Sequence, residues 1–302
     1  MIHVVGHTAI DHISRVPAFP KMNGSTRITD RKIYFGGGAA NIAAGIAVLG
    51  EKVTLHSAVG EDFPGSDYEK WMEKLGIARD FFEVPDTHTP TAFMFTDDAG
   101  DQCTFFEWGA SRIFCEAQAP SLPFVHMATA DPAFNVQVAQ KSRFASFDPG
   151  QDVFLYSKEQ LADLLDHIDI LFANRHEVAV MCEKLGTTGK AITERVPTAI
   201  FTAGGEGSML YEDGRQHHIP AIPVTMADPT GAGDGYRAGF LTAYVRGYSP
   251  LECCRVGTVT ASYIVEHIGC QTHLPTWAMM EERYRNHFGA LPATVEGTRR
   301  FS

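Results

Sequence analysis

The 302-residue chain is expected to be an α/β protein, a three-layer sandwich built on a mostly parallel central sheet with a small β lid. Three observations carry that expectation. Short apolar runs at 2–5, 53–57, 168–173 and 198–202 alternate with longer helical patterns, as βαβ units around a parallel sheet do. A hydrophobic content of 44% supplies a substantial core. Two stretches, about 13–34 and 89–108, break the βαβ rhythm and supply the lid. No internal repeat, low-complexity segment or Pro/Gly/Ser-rich linker divides the chain, so residues 1–302 are expected to form a single domain carrying that lid.

The elements follow in order. The first strand, at 2–5, leads through Gly6-His7-Thr8-Ala9-Ile10 to Asp11, a place where α/β sheets carry ligand contacts, although alone Asp11 is an ordinary loop carboxylate. Gly36-Gly37-Gly38-Ala39-Ala40-Asn41 opens a helix that is small and apolar almost all round, stopped by Gly50. Asn41 is its one strongly polar residue, equally suited to bonding backbone or to meeting a ligand. Within 89–108, Phe93, Phe95, Thr104 and Phe106 suggest paired strands turning at Asp97-Asp98-Ala99-Gly100-Asp101. Phe93, Phe95 and Phe106 are expected to exclude water from a site beneath them.

The run at 169–173 passes into Asn174-Arg175-His176-Glu177, which places Asn174 and Glu177 on one helix face. That pair fits either a capping box or water-mediated contact with Mg²⁺; an isolated match favours the cap. Thr202-Ala203-Gly204-Gly205-Glu206-Gly207 is a turn whose backbone can approach a ligand or simply join two strands. Last, Asp228-Pro229-Thr230-Gly231-Ala232-Gly233-Asp234 sets a carboxylate behind small residues at the mouth of a helix. Unpaired amides and a positive macrodipole attract phosphate there. The competing reading of Asp234 is a helix cap.

Several function classes are excluded. A formal net charge of -11 opposes nucleic-acid and acidic-membrane binding. Six cysteines at 103, 115, 182, 253, 254 and 270 lack Cys-x-x-Cys spacing and fit reduced thiols. The N-terminus lacks a basic leader and no apolar run spans a bilayer, so a cytoplasmic location is expected. Val180 stands where a His-Glu-x-x-His zinc site needs its second histidine. Neither a P-loop nor Gly-x-Gly-x-x-Gly is complete.

Taken together, Asp11, Gly36-Gly37 with Asn41, Asn174 with Glu177, Thr202 with Gly204 and Gly207, and Asp228 to Asp234 resemble the motif series of the ribokinase family, the PfkB carbohydrate kinases. The series spans most of the chain, and its last motif is highly specific. The resemblance implies ATP and Mg²⁺ as cofactors and phosphorylation of a primary alcohol. It implies Asp234 as catalytic base, with Gly231, Ala232 and Gly233 as anion hole. Asp11, Gly36, Gly37 and Asn41 would bind substrate, Asn174, Thr202, Gly204 and Gly207 would bind ATP, and Glu177 would serve Mg²⁺ through water. It also permits a monovalent cation such as K⁺ near Asp228 and Gly269, and leaves oligomeric state open, a homodimer included.

A narrower likeness concerns the substrate. Thr91 to Asp98, Phe147-Asp148-Pro149-Gly150-Gln151 and Gly235-Tyr236-Arg237-Ala238-Gly239 look like the prokaryotic adenosine and nucleoside kinase branch of that family. Glu107-Trp108-Gly109-Ala110-Ser111 departs from it, since the branch commonly has His-Pro-Gly-Ala-Met there. The likeness implies transfer to the 5′-hydroxyl of a nucleoside. The alternatives are a kinase of ribose, fructose or a related small carbohydrate, and a non-catalytic metabolite-binding regulator.

Overall fold

The computed structural model describes residues 1–294. Its strands are β1 (Ile2–Val5), β2 (Ala9–Arg15), β3 (Asp30–Gly36), β4 (Val53–Gly60), β5 (Ala78–Val84), β6 (Thr91–Thr96) and β7 (Gln102–Glu107). They continue as β8 (Val125–Met127), β9 (Ala145–Phe147), β10 (Ile170–Asn174), β11 (Thr198–Thr202), β12 (Ser208–Glu212) and β13 (Arg215–Ile219). A nine-stranded sheet has the order β13-β12-β11-β10-β9-β8-β1-β4-β5. Every pairing from β5 to β11 is parallel, and β12 and β13 add an antiparallel edge.

Strand periodicity sends successive side chains to opposite faces. Val4, Ile170, Phe172 and Ile200 therefore join one buried cluster, with Ile42, Phe240, Val256 and Tyr284 from helices. Val5, Leu171 and Ala199 join another, with Phe134, Leu164 and Met181. The sheet is covered on both faces, which is why the central parallel strand β10 is a continuous apolar run from Ile170 to Ala173 rather than an alternating one. The small-residue character of helix Gly38–Val48 also has a packing reason: a Cβ on Gly45 would lie 2.6 Å from that of Ala238 on helix Ala232–Val245.

The chain winds outward from β1 through β4 to β5, then returns to β1's other side at β8. Ligand crevices in open parallel sheets form where the strand order reverses in this way, at the carboxyl ends of the strands. The carboxyl ends of β10 and β11 and the loops leaving β1, β8 and β9 bring Asn174, Thr202, His7, Thr129 and Asp148 to one cavity there.

A second sheet, in the order β3-β2-β6-β7, stands over that crevice. It begins earlier than residue 13: Ala9 pairs with Gly36 and Arg15 with Asp30, so Asp11 belongs to a strand and not to a loop. The β6–β7 turn is closed by Asp97, whose Oδ1 accepts from the amides of Ala99 (2.9 Å) and Asp101 (3.0 Å). The expectation for Phe93 and Phe95 is corrected. Ala92 and Met94 line the cavity, and period-two alternation puts Phe93 and Phe95 on the other face, against His12 and Phe105. Phe106 does face the cavity.

Candidate active site

Asp234 reaches the cavity because of how its helix begins. Gly231 occupies the N-cap position at φ 79°, a left-handed conformation that favours glycine, and a Cβ there would approach Cys270 Sγ to 2.7 Å. Asp234 is the third residue of helix Ala232–Val245 and makes no capping bond, so the cap reading fails. The Ala232 amide bonds the Pro229 carbonyl at 3.2 Å, and Asp228 Oδ1 accepts from the Thr230 amide at 2.9 Å. Among the described residues the amides of Gly231 and Gly233 have no acceptor, which leaves two donors of the expected anion hole open.

The Asp234 carboxylate is held from the other side. Asn41 Nδ2 donates to Asp234 Oδ2 at 2.8 Å, while Asn41 Oδ1 accepts from Gln271 Nε2 at 2.9 Å. The same Gln271 Nε2 donates to Tyr68 Oη (2.8 Å), and Trp71 Nε1 donates to Gln271 Oε1 (2.9 Å). Tyr68 in turn donates to the Gly36 carbonyl at 2.8 Å. A chain of this kind fixes each member's orientation and so fixes the carboxylate. Burial raises the Asp234 pKa to about 6, with Asp148 adding to the rise and the Asn41 hydrogen bond and Arg237 opposing it.

Asp11 lies in the same cavity and is 4% exposed. Burial, with Asp234 and Asp228 nearby, raises its pKa to about 8. At neutral pH it is therefore mostly a neutral carboxyl, able to donate one hydrogen bond and accept others. Gly36 does not line the cavity, but a Cβ on it would collide with the Asp11 carboxyl.

Across the junction, Asn174 and Glu177 form a full capping box. Asn174 Oδ1 accepts from the amides of His176 (2.8 Å) and Glu177 (2.9 Å), and Glu177 accepts from the Asn174 amide (2.7 Å) and Nδ2 (2.6 Å). The cap and the site are the same residues, since both also line the cavity. Burial and the charge of Asp148 raise the Glu177 pKa to about 7. Each Glu177 oxygen already accepts a bond, which suits contact with a metal's water shell better than direct ligation. Among the described residues no group of three or more His, Cys, Asp or Glu is arranged to hold a metal ion.

The cavity, of about 460 Å³, brings together Asp11, Gly37, Asn41, Asn174, Glu177, Thr202, Gly231, Gly233 and Asp234. Gly204 and Gly207 lie behind it, in a turn closed by the Ala203 amide on the Gly207 carbonyl at 2.8 Å. The sequence reading gave no role to several participants: Tyr68, Trp71 and Gln271, the ion pair of Asp148 with Arg237, and His7, Gln151 and Asp152, which join the expected Phe106 in an end wall. His7 Nδ1 lies 2.8 Å from Ser111 Oγ, and its ring is 4.9 Å from Phe106 and 5.2 Å from Trp108.

The pfkB family carbohydrate kinase profile matches residues 1–277. The chain belongs to this family. Among PfkB-family and related proteins it is 44% identical over 293 residues to a nucleoside kinase of Methanocaldococcus jannaschii, covering 95% of this chain and 97% of the relative. A crystal structure of the M. jannaschii nucleoside kinase superposes with a TM-score of 0.89 at 43% identity, covering 95% of this chain and 98% of the other. A Burkholderia thailandensis nucleoside kinase solved with inosine superposes at 0.88 and 27% identity, covering 97% and 99%.

Proposed function

We propose that this PfkB-family chain is an ATP-dependent nucleoside kinase that transfers the γ-phosphate to a nucleoside 5′-hydroxyl. The observation that carries the reading is the position of Asp234. Its carboxylate shares one cavity with Asp11 and Asn41, which would bind the acceptor's hydroxyls, and with Asn174, Glu177 and Thr202, which would bind the nucleotide, next to two open amides. The end wall of Phe106, His7, Gln151 and Asp152 supports a nucleoside over a free sugar, because it offers an aromatic surface and polar groups that a pentose alone would leave unfilled. The 44% identity to a nucleoside kinase points the same way.

In this mechanism Asp11 and Asn41 hold the ribose, Gly37 lets the backbone approach it, and Gly36 leaves room for the Asp11 carboxyl. Asp234 accepts the proton of the 5′-hydroxyl as its oxygen attacks the γ-phosphorus in line. Phosphoryl transfer runs through a loose transition state, so alignment and charge matter more than base strength, and a carboxylate with a pKa of about 6 is ionised at neutral pH. Each open amide of the Gly231–Gly233 turn stabilises charge on the transferred group, by about 3–4 kcal/mol if it matches an oxyanion-hole donor. Gly204 and Gly207 shape the turn beneath the nucleotide.

Mg²⁺ fits this cavity as an ion carried in by the nucleotide. The cluster of Asp148, Glu177 and Asp234 is acidic, and Glu177 would bond the metal's waters. When bound, the ion neutralises charge on the β- and γ-phosphates. A K⁺ site belongs to the loops of Asp228 and Gly269; the amides of Ala227 (2.7 Å) and Asp228 (3.2 Å) tie the first of these to the Val265 carbonyl. The lid is the four-stranded sheet on an otherwise single domain. Among the described residues no helix is long and apolar enough to cross a membrane, and we place the enzyme in the cytoplasm, either as a monomer or as a homodimer.

ADP release measured over a panel of nucleosides and free sugars tests the reading, with arms that omit Mg²⁺ or replace K⁺ by tetramethylammonium. The expected order is a kcat/KM for at least one nucleoside well above that for ribose or fructose. A higher value for a free sugar assigns the sugar-kinase alternative, and ligand affinity without transfer to any acceptor assigns the non-catalytic one.

A further inference from the structure

The Asp148-Pro149-Gly150-Gln151 and Tyr236-Arg237 motifs, 89 residues apart, meet at the transfer junction. Arg237 lies one helical turn after Asp234 on the same helix and is 5% exposed. Its Nε is 2.5 Å from Asp148 Oδ2, and Asp148 is itself 5% exposed and anchored by the Gly150 amide on its Oδ1 at 3.1 Å. The guanidinium carbon sits 5.8 Å from the Phe172 ring centroid, which backs it from the core.

Arg237 Nη1 lies directly beneath Gly233, where any Cβ would collide with it. Among the described residues neither Nη1 nor Nη2 has a hydrogen-bond acceptor, although Arg237 lines the cavity beside Gly233, Asp234 and Glu177. Nε is the Arg237 nitrogen that is fully buried without a well-aligned partner, so the Nη pair is the part that opens to the cavity, and a planar fork of donors matches phosphoryl oxygens. Its other neighbours are acidic, which keeps it charged: burial works against the cation, but Asp148, Glu177 and Asp234 together outweigh it.

We propose that Arg237 is a catalytic residue whose Nη groups donate to the phosphoryl group in flight, with Asp148 as the residue that positions it. The inference rests on the kinase reading. The acceptor O5′–P bond forms as the bond from the γ-phosphorus to the β–γ bridging oxygen breaks. The hydroxyl proton passes to Asp234, and ADP leaves with the bridging oxygen. Arg237 takes no proton; it offsets charge on the three non-bridging oxygens, as the anion-hole amides do. Gly233 is then required twice, for its bare amide and for the space that Nη1 occupies.

The test uses the full chain and the best acceptor of the wild type. Arg237→Gln is expected to lower kcat by about 100-fold or more, with acceptor KM changed less than about threefold. Arg237→Lys, which keeps the charge and loses the fork, should recover part of the rate. Thermal shift supplies a readout apart from turnover: Arg237→Gln should keep the shift given by nucleoside alone and lose the extra shift given by nucleoside, ADP, Mg²⁺ and fluoroaluminate, a mimic of the transferring phosphoryl group. Because Arg237→Gln strands the Asp148 carboxylate, the double variant Arg237→Gln with Asp148→Asn removes both charges and guards against misfolding. It should melt near the wild type and remain slow.

A kcat within threefold of wild type in either Gln variant, or a retained fluoroaluminate shift, overturns the assignment. So does loss of the nucleoside shift in the double variant, which would make the pair structural. If the wild type transfers phosphate to no acceptor, the kinase reading fails and this inference with it; an active wild type with active Gln variants sinks this inference alone.

Discussion

Asp11 and Asp234 are two acids in one cavity, set apart by their surroundings. Asp234 is bonded to Asn41 and lies near the Arg237 cation, which hold its pKa to about 6, while Asp11 is buried beside the carboxylates of Asp234 and Asp228 and stands at about 8. The Asp11 value carries a cost in stability. Its carboxyl binds a proton more tightly in the folded chain than in the unfolded one, so native stability is undiminished below about pH 4 and is lost as pH rises towards 8. Asparagine is neutral throughout. Asp11→Asn should therefore melt several degrees above the wild type at pH 9, with the gain shrinking steadily towards pH 5, while acceptor KM rises and kcat falls. A melting difference that is the same at pH 5.5 and pH 9 would show that Asp11 is not held neutral by its site.

At the scale of elements, the strand-ending and helix-opening motifs were legible because each is local. Asn174 with Glu177, and Gly231 to Asp234, announce a helix start within a few residues, and the structure places helices there. Contacts across the chain were not legible. Gln271 reaches Asn41 over 230 residues and Tyr68 over 203, and nothing in the local pattern around Gln271 marks it. Asp148 and Arg237 stood out as quoted motifs, but only the folded sheet shows that they pair. The lid strand β6 illustrates a different limit. Residues 92–95 are apolar on both faces, so a period of two identifies the strand without saying which face meets the cavity.

The lid orientation has its own test. Phe106→Ala should raise ATP hydrolysis relative to transfer, by about three- to tenfold, because an opened lid admits water to the γ-phosphate. Phe93→Ala, on the opposite face, should leave that ratio alone. Comparing ADP release with and without acceptor reads both, and equal effects at the two positions would contradict the assignment of faces.

Over the whole molecule, the sheet explains why one site gathers residues from position 7 to position 271. The strand order reverses between β1 and β8, and the loops on both sides of that reversal empty into one cavity beneath the smaller sheet. The net charge of -11 makes the local donors more important, since an anionic nucleotide approaches a protein that repels it at long range. On the proposed mechanism, Gly231, Gly233 and Arg237 would supply that attraction where transfer happens. The most direct measurement of the central claim is ³¹P NMR of the product made from ATP and the preferred nucleoside by the wild type and by Asp234→Asn, with nucleoside affinity measured on both. The account predicts a nucleoside 5′-monophosphate from the wild type, and from Asp234→Asn no detectable turnover at near-normal affinity. A phosphate on another hydroxyl, or more than a few per cent of the wild-type rate in the variant, would contradict it.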